Sequence, residues 1–565
     1  IGGKHFTLSS DASLAKRSEL LLKLKSFNSI IVNVLNTSSR ASRAYGISEE
    51  TLAFLDELEN TSTLVLNVAG MPYSLGRFAN LDKFDAVVLS YSDDRLYQDL
   101  ALQAIFGGAS FSGKMPVTAG PQARAGEGIS TGPASRLGYA MPLDVGLDPD
   151  TLQLMDEIIQ KAMRKKAIPG CQVLVARQGK VVWHRTYGYR TYQKKKRVQP
   201  DDIYDLASVT KMASITAALM RLRDLGKFHE DSLMGAYDPI PDSSNKAQLL
   251  VADVLSHQSG MIPWIPFYYE TLEPLDTSQA LISNKFSWTH SLKIGEGAYF
   301  NRHVKYVDSV YQKFYSPEYP YEVAEDLYMR ADWKDTIYKR IYDSELISRE
   351  YRYSGLGFYM FQQIIEAATD TLLYPFVWHN FYNPMGDQSL GYKPLSRFPE
   401  EKIVPTENDM YDRRQLLQGH VHDMGAAMLG GVSGNAGLFG NANDLAKMMQ
   451  MFLNGGNYGQ RRYIQQATLD RFTQRYNTEE ENRRGFGFDK PVTWEEDEGP
   501  ACNSASALSF GHSGFTGTLA WADPEHELVY IFLSNRVHPD MGNNKLIDMN
   551  VRTEVQQVVY QALMQ

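Results

Sequence analysis

The stretch "ASVTKMAS", Ala207–Ser214, opens an apolar run, "MASITAALMRL", that has helical spacing. Ser208 and Lys211 stand three residues apart, and on a helix such residues are neighbours, with Cβ atoms roughly 5–6 Å from each other. A serine hydroxyl is a poor nucleophile near neutral pH and needs a base within hydrogen-bond reach. A lysine whose charge is disfavoured by desolvation releases its proton more readily, which makes it a candidate base or relay. The plain alternative is a helix with a polar first turn. At ordinary composition Ser-x-x-Lys turns up about twice in a chain this long, and Ser13–Lys16 and Ser243–Lys246 fit the pattern as well. Context separates the three. Ser13 lies on a charged helix, "SLAKRSELLLKLK", and Ser243 in a turn-like segment, "PDSSNK". Only after Ser208 does an apolar helix follow, so only Lys211 is expected to be packed against protein.

Outward from this point the chain divides. Length, 565 residues, exceeds what one hydrophobic core supports. In residues 1–120, "SIIVNVL" (29–35), "TLVLNVA" (63–69) and "DAVVLSY" (85–91) are short, apolar and β-branched, with the helical pattern "EETLAFLDELEN" between the first two. That alternation predicts a small layered α/β domain with a parallel sheet. Residues 121–146 are rich in Gly, Ser, Ala and Pro without an apolar period and read as a linker or draped connection. Residues 147–565 open with an Asp-capped amphipathic helix, "LDPDTLQLMDEIIQKAMRKKA", then a hairpin about Gln178-Gly179. A second hairpin, with its turn at Pro524-Glu525, and a closing helix, "DMNVRTEVQQVVYQALM", complete an α+β pattern.

Net charge is -9 with a pI near 5.8 and no basic block beyond runs such as "QKKKR" (193–197), which argues against a nucleic-acid partner. No apolar stretch reaches the 18 or so residues of a membrane span. Cys171 and Cys502 are far apart and outside any pairing or zinc motif, so they read as buried small side chains. Starting "IGGKHF", without an initiator Met or a signal segment, the chain reads as a mature or excised fragment.

Three ordered elements carry a resemblance. "SVTK" at 208–211, "YSG" at 353–355 in "YRYSGLGFYMFQQIIE", and "HSG" at 512–514 in "FGHSGFTGTLAWADPE" are similar to the Ser-x-x-Lys, Tyr-x-Asn and Lys-Thr-Gly or His-x-Gly elements of the serine β-lactamase and penicillin-binding-protein superfamily. The flanks "IPGCQVLVARQGKVV", "VADVLSHQSGM" and "GGVSGNAGLFGNANDLAKMMQMFLNGG" resemble family segments in family order, closest to the class C β-lactamase and esterase branch, over roughly residues 145–565. The resemblance implies an antiparallel sheet flanked by helices plus an all-helical part, and no cofactor or metal. It implies Ser208 as the nucleophile that becomes acylated, Lys211 as proton acceptor or relay, and Tyr353 as general base. A phenol of pKa about 10 serves there only if positive charge favours phenolate. The oxyanion donors would be the N–H groups of Ser208 and Phe515, with His512, Ser513 and Gly514 lining the substrate edge. Glycine at 514 suits close approach to that strand.

Two departures bear on substrate. Gly355 stands where the family carries a side-chain amide, and His512 replaces the usual lysine with a group that is mostly neutral at pH 7. Both lean toward an esterase, or a peptidase with loose demands, rather than an efficient β-lactamase. His420 and His422, beside Asp423, are read as hydrogen-bonded structural groups rather than metal ligands, and His257 as a residue that fixes its loop. The aromatic, acidic insertion from "WIPFYYETLEP" to "LYMRADW" is either a wall or lid of the cleft or an ordinary packed subdomain.

The N-terminal segments "VLNVAGMPYSL", "DAVVLSYSDDRLYQDLALQAIFG" and "FSGKMPVTAG" resemble the last α/β domain of family 3 glycoside hydrolases, in which a catalytic barrel comes first. The resemblance implies a parent β-N-acetylhexosaminidase-like chain. The expected function is a bacterial serine hydrolase acting through an acyl-enzyme on an ester or D-amino-acid amide, such as a cell-wall fragment from peptidoglycan, and secreted, periplasmic or in the cell envelope. Two alternatives stand beside it: a catalytically weak binding or scaffold module serving the glycosidase, and a non-catalytic remainder of that enzyme.

Overall fold

Three short β-branched runs near the N-terminus become parallel strands. The computed structural model describes residues 4–59, 62–132, 134–295, 297–477, 481–492 and 499–564, and the chain divides into two compact units, residues 2–139 and 140–565. In the first, β1 (Ser29–Val34), β2 (Thr63–Val68) and β3 (Ala86–Leu89) pair in that order, Ile31 opposite Val65 and Leu66 opposite Val87. Helix α1 (Leu14–Leu24) precedes β1, α2 (Glu49–Glu57) lies between β1 and β2, and α3 (Arg95–Ile105) follows β3, while only short 3-10 turns join β2 to β3. Leu64, Leu66 and Val68 of the central strand are buried, with Phe54 and Leu55 of α2 in the same core. Residues 121–132, read as connection, drape on this unit. Ala123 enters its core, and the Met115 N–H donates to the Glu127 carbonyl at 2.7 Å.

The second unit begins with α4 (Pro149–Arg164), capped by the Asp148 carboxylate, which accepts from the N–H of Asp150 and Thr151; such a cap contributes about 1 kcal/mol. Then come β4 (Gly170–Arg177) and β5 (Lys180–Gly188). Gln178 and Gly179 both have positive φ, 53° and 71°, as a two-residue hairpin turn matched to strand twist requires. Late in the chain β6 (Phe510–Gly514), β7 (Thr518–Asp523) and β8 (Leu528–Ser534) join them in the order β6-β7-β8-β4-β5, antiparallel throughout. β4 is buried on both faces because helices cover both. On one face lie α4 and a closing helix, Val551–Gln561, with Leu152, Met155, Ile159, Val555 and Val559 against Val173, Val175, Trp521 and Phe532. Each such side chain contributes about 1.5–3 kcal/mol when fully buried. The helix Ala442–Leu453 packs on β4, β7 and β8. The closing helix is shorter than its pattern because Asn550 takes a left-handed conformation, φ 49°, and breaks it from Lys545–Asp548.

The Ser208 segment runs into a π-helical turn, Lys211–Thr216, and then α5 (Ala217–Asp224). Helix α6 (Leu356–Thr369) packs against both. The aromatic insertion forms small antiparallel sheets of two or three strands between Leu272 and Met329. Among the described residues no helix is long and apolar enough to cross a membrane.

Candidate active site

Ser208 is aimed by its N-terminal neighbours. Tyr204–Asp205 pairs with Phe439–Gly440, and the buried Asp205 carboxylate accepts from the N–H of Ala207 at 2.9 Å and of His422 at 2.7 Å. Burial pushes that carboxyl up, against the pull of the two N–H groups. Ala207 is thereby held at φ 47°, a left-handed conformation that costs an L-residue on the order of 1–3 kcal/mol and clusters at functional sites. The sharp turn leaves Ser208 half-buried while its neighbours on both sides are buried.

Lys211 is 2 % exposed. Its Nζ donates to Ser208 Oγ at 3.0 Å and to the Asn435 carbonyl at 2.8 Å, and it has no ion-pair partner among the described residues. The wide π turn that starts at this residue is a feature frequent at functional sites. Lys246 corrects the expectation that only Lys211 is packed: it too is fully buried, and burial pushes it down to about 8. Its Nζ, however, bonds Asn245 and the Ser344 carbonyl, and Ser243 is exposed. Lys16 is exposed, as expected for a solvated helix face.

Tyr353 lies just ahead of α6, with Lys211 Nζ over its ring at 5.3 Å from the centroid. Its buried Oη has no hydrogen-bond partner among the described residues. The His257 ring rests on it at 4.5 Å. His257 Nδ1 accepts the Ser354 N–H at 3.3 Å, and burial holds this imidazole well below its ordinary pKa, so it is neutral. It fixes the loop, as expected, and also backs the phenol.

The edge strand β6 closes on the Ser208 turn. A Cβ on Gly514 would stand 2.5 Å from the Leu206 carbonyl oxygen and 3.3 Å from Ala207 Cβ. Thr516 Oγ1 donates to the Asp205 carbonyl at 2.8 Å, and Thr518 Oγ1 to that of Leu206 at 3.0 Å. Phe515 follows directly and is 50 % exposed. Neither its N–H nor that of Ser208 meets an acceptor among the described residues. Ser513 is half-buried. His512 is 2 % exposed; burial, then the charges of Arg484 and Lys211, push it down to about 3. It is neutral, as expected, but its ring faces Tyr353, 6.1 Å away, rather than solvent.

Arg484 went unread in the sequence. Buried, it reaches His512 Nε2 at 3.3 Å and Asp489 at 3.1 Å, with its guanidinium 5.2 Å over the Tyr353 ring. The only local signal is the Arg-Arg pair in "NRRGFGFDK", which points equally well to solvent. Gly355 has space around it: a Cβ there would meet only Asn435 Cβ, at 3.8 Å. His422 Nε2 pairs with Glu407 at 2.8 Å and His420 Nε2 with Glu322 at 3.4 Å, separate partners as for structural histidines. Both cysteines are buried and free; burial raises Cys171 and pushes Cys502 up to about 12.

A family model described as Beta-lactamase matches residues 155–293 and 314–549; the interval it skips lies inside the aromatic insertion. Two curated relatives carry the description "Putative D-alanyl-D-alanine carboxypeptidase". One, from Salmonella enteritidis PT4, is 28% identical over 443 residues, 73% of this chain and 88% of the relative. The other, from Escherichia coli O157:H7, is 26% identical over 437 residues, 71% and 86%. Among solved structures, a penicillin-binding protein homologue from Caulobacter crescentus aligns with TM-score 0.49 and 18% identity, over 74% of this chain and 99% of that one.

Proposed function

The chain belongs to the Beta-lactamase family and is a serine hydrolase, and we propose that it works through an acyl-enzyme on Ser208, with an ester or a D-amino-acid amide as substrate. The observation that carries the reading is the 3.0 Å contact between Lys211 Nζ and Ser208 Oγ, with the Tyr353 ring centroid 5.3 Å from the same Nζ. Because Lys211 donates to Ser208 in this contact, Tyr353 as phenolate is the group assigned to take the serine proton, becoming the phenol, with Lys211 orienting both. Ser208 Oγ then bonds to the substrate carbonyl carbon. The carbonyl oxygen becomes an oxyanion held by the N–H groups of Ser208 and Phe515. Collapse expels the alcohol or amine, which takes the proton from Tyr353. Water repeats the cycle on the acyl-serine and restores the free hydroxyl. Tyr353 Oη is not bonded to Ser208 here, and such hydrogen bonds commonly tighten only when substrate is bound.

A neutral His512 supplies no cation to a substrate carboxylate, and Gly355 supplies no amide. Both support ester turnover ahead of β-lactam turnover. The relatives' description supports a peptide ending in D-alanine as the amide substrate and the cell envelope as location. The aromatic insertion, which begins at Trp264, fits a wall of the cleft: directly ahead of it the Ile262 carbonyl accepts from Ser354 Oγ at 2.8 Å and that of Pro263 from the Gly355 N–H at 3.2 Å. Residues 1–120 fit the C-terminal α/β domain of a family 3 glycoside hydrolase through the quoted segments and the parallel β1-β2-β3 sheet, with a glycosidase barrel in the parent chain.

The test is turnover of p-nitrophenyl acetate, a D-alanyl-D-alanine peptide and a penicillin by wild type and Ser208→Ala. Ester hydrolysis and D-alanine release that vanish in the variant are expected, with β-lactam turnover slower. No turnover of ester or peptide by wild type overturns the reading in favour of a scaffold.

A further inference from the structure

We infer that Arg484 is a positioning residue of this site, whose guanidinium, anchored by Asp489, supplies over the Tyr353 ring and through His512 the fixed positive charge that the edge strand itself lacks. The inference rests on the role proposed for Tyr353. Four groups surround that tyrosine among the described residues. Lys211 comes from the Ser208 helix, at 5.3 Å, and His257 from the turn after Val251–Leu255, at 4.5 Å. His512 comes from β6, at 6.1 Å, and Arg484 from residues 481–492, at 5.2 Å. Tyr351 adds a hydroxyl on Arg484 Nε at 3.3 Å. Behind them Asp489 accepts from Arg483 Nε at 2.6 Å and pairs with Arg484.

Two features make this more than a structural ion pair. First, His512 has its tautomer set. Its Nδ1 lies 2.7 Å from the Ser513 carbonyl and so carries the proton, which leaves Nε2 as a lone pair toward Arg484 at 3.3 Å. A neutral imidazole thus links a buried cation to the strand that lines the cleft. Second, the charges do not balance. Among the described residues Asp489 is the one carboxylate paired with Arg483 and Arg484, and Lys211 has none, so positive charge is in excess around a buried hydroxyl that has no hydrogen-bond partner among them. A cation beside an acid favours the acid's ionised form. Asp489 is itself tied to β6, its N–H donating to the Gly511 carbonyl at 2.8 Å and its carbonyl accepting the Gly511 N–H at 3.0 Å, so the guanidinium is registered to the strand.

The experiment is the pH profile of kcat/KM with p-nitrophenyl acetate for wild type, Arg484→Lys and the double variant Arg484→Met/Asp489→Asn, which removes the cation together with its counter-ion. Activity needs the base unprotonated, so loss of a nearby cation moves the half-maximal point of the acidic limb to higher pH. A shift of about one unit and a loss of about tenfold at pH 7 are expected for the double variant, whereas Arg484→Lys keeps the wild-type midpoint. Arg484→Gln, uncharged, takes the double variant's place if that protein does not fold, with the same shift expected. A purely structural role would lower activity equally at every pH, and an unmoved midpoint in the uncharged variants, or an equal shift in Arg484→Lys, overturns the inference. Labelling by a fluorophosphonate separates the two levels. Wild type that takes no label refutes the hydrolase reading and this inference with it, while normal labelling with an unmoved midpoint refutes this inference alone.

Discussion

Replacing Gly514 by alanine perturbs the oxyanion donor without touching a reactive side chain. The added methyl would stand 2.5 Å from the Leu206 carbonyl oxygen, where ordinary contact begins at 3.4 Å, and would also overlap Thr518 Oγ1. The Leu206 oxygen is backbone, held by the turn that aims Ser208, and it accepts the Thr518 hydroxyl at 3.0 Å. Relief therefore comes from β6 backing away by about an ångström, and the Phe515 N–H moves with it. A misplacement of about 1 Å costs roughly 10²-fold in rate, and loss of one oxyanion donor costs about 10²–10³ in kcat. The expected result for Gly514→Ala is thus a fall of about 10²-fold in kcat for p-nitrophenyl acetate. The assay is steady-state hydrolysis, with a thermal melt to establish that the variant is folded at the assay temperature. A folded Gly514→Ala with wild-type kcat would refute both the close packing of β6 on the Ser208 turn and the role given to Phe515.

Tyr353→Phe keeps the ring on His257 and removes only the hydroxyl; kcat should drop about 10²–10⁴-fold, read in the same ester assay. Asp202→Ala strips the buried Arg190 of its carboxylate partner, and breaking such a pair costs about 3–5 kcal/mol, visible as a lower midpoint in urea titration. Asp412 is buried with neither carboxylate oxygen hydrogen-bonded among the described residues and Arg413 Nε 4.0 Å away, and burial and the neighbouring Asp409 charge push its carboxyl up. Its folded form therefore holds a proton that the unfolded chain releases near pH 3.9, so its contribution to stability falls as pH rises from there through the raised folded value. Asp412→Asn should leave Tm unchanged near pH 4 and raise it at pH 8; an equal change at both would contradict the assignment.

The parts of this architecture that could be read in advance are those whose signal is local. Asp148 before an apolar period, Gln178-Gly179 between two strands, and the three-residue spacing of Ser208 and Lys211 each encode their geometry within a few residues. Tyr353 was reachable because "YSGLGF" resembles the tyrosine element of a known family, although it lies 145 residues beyond Ser208. Arg484 was not, because its meaning arises from the docking of residues 481–492 on β6, and an arginine beside another arginine looks the same in a solvated loop. Lys246 misled for the same reason: a turn-like "PDSSNK" gives no sign that the lysine stem inserts toward the Ser344 carbonyl. Asn550 broke the closing helix through a left-handed conformation that the apolar period around it conceals.

The central claim, that the hydroxyl at 208 is the nucleophile, is tested most directly by digesting the fluorophosphonate-treated protein and sequencing the modified peptide by mass spectrometry. One phosphonylated peptide is expected, with the added mass on Ser208, and none after Ser208→Ala. An adduct on another residue, or one that persists in the alanine variant, would contradict it.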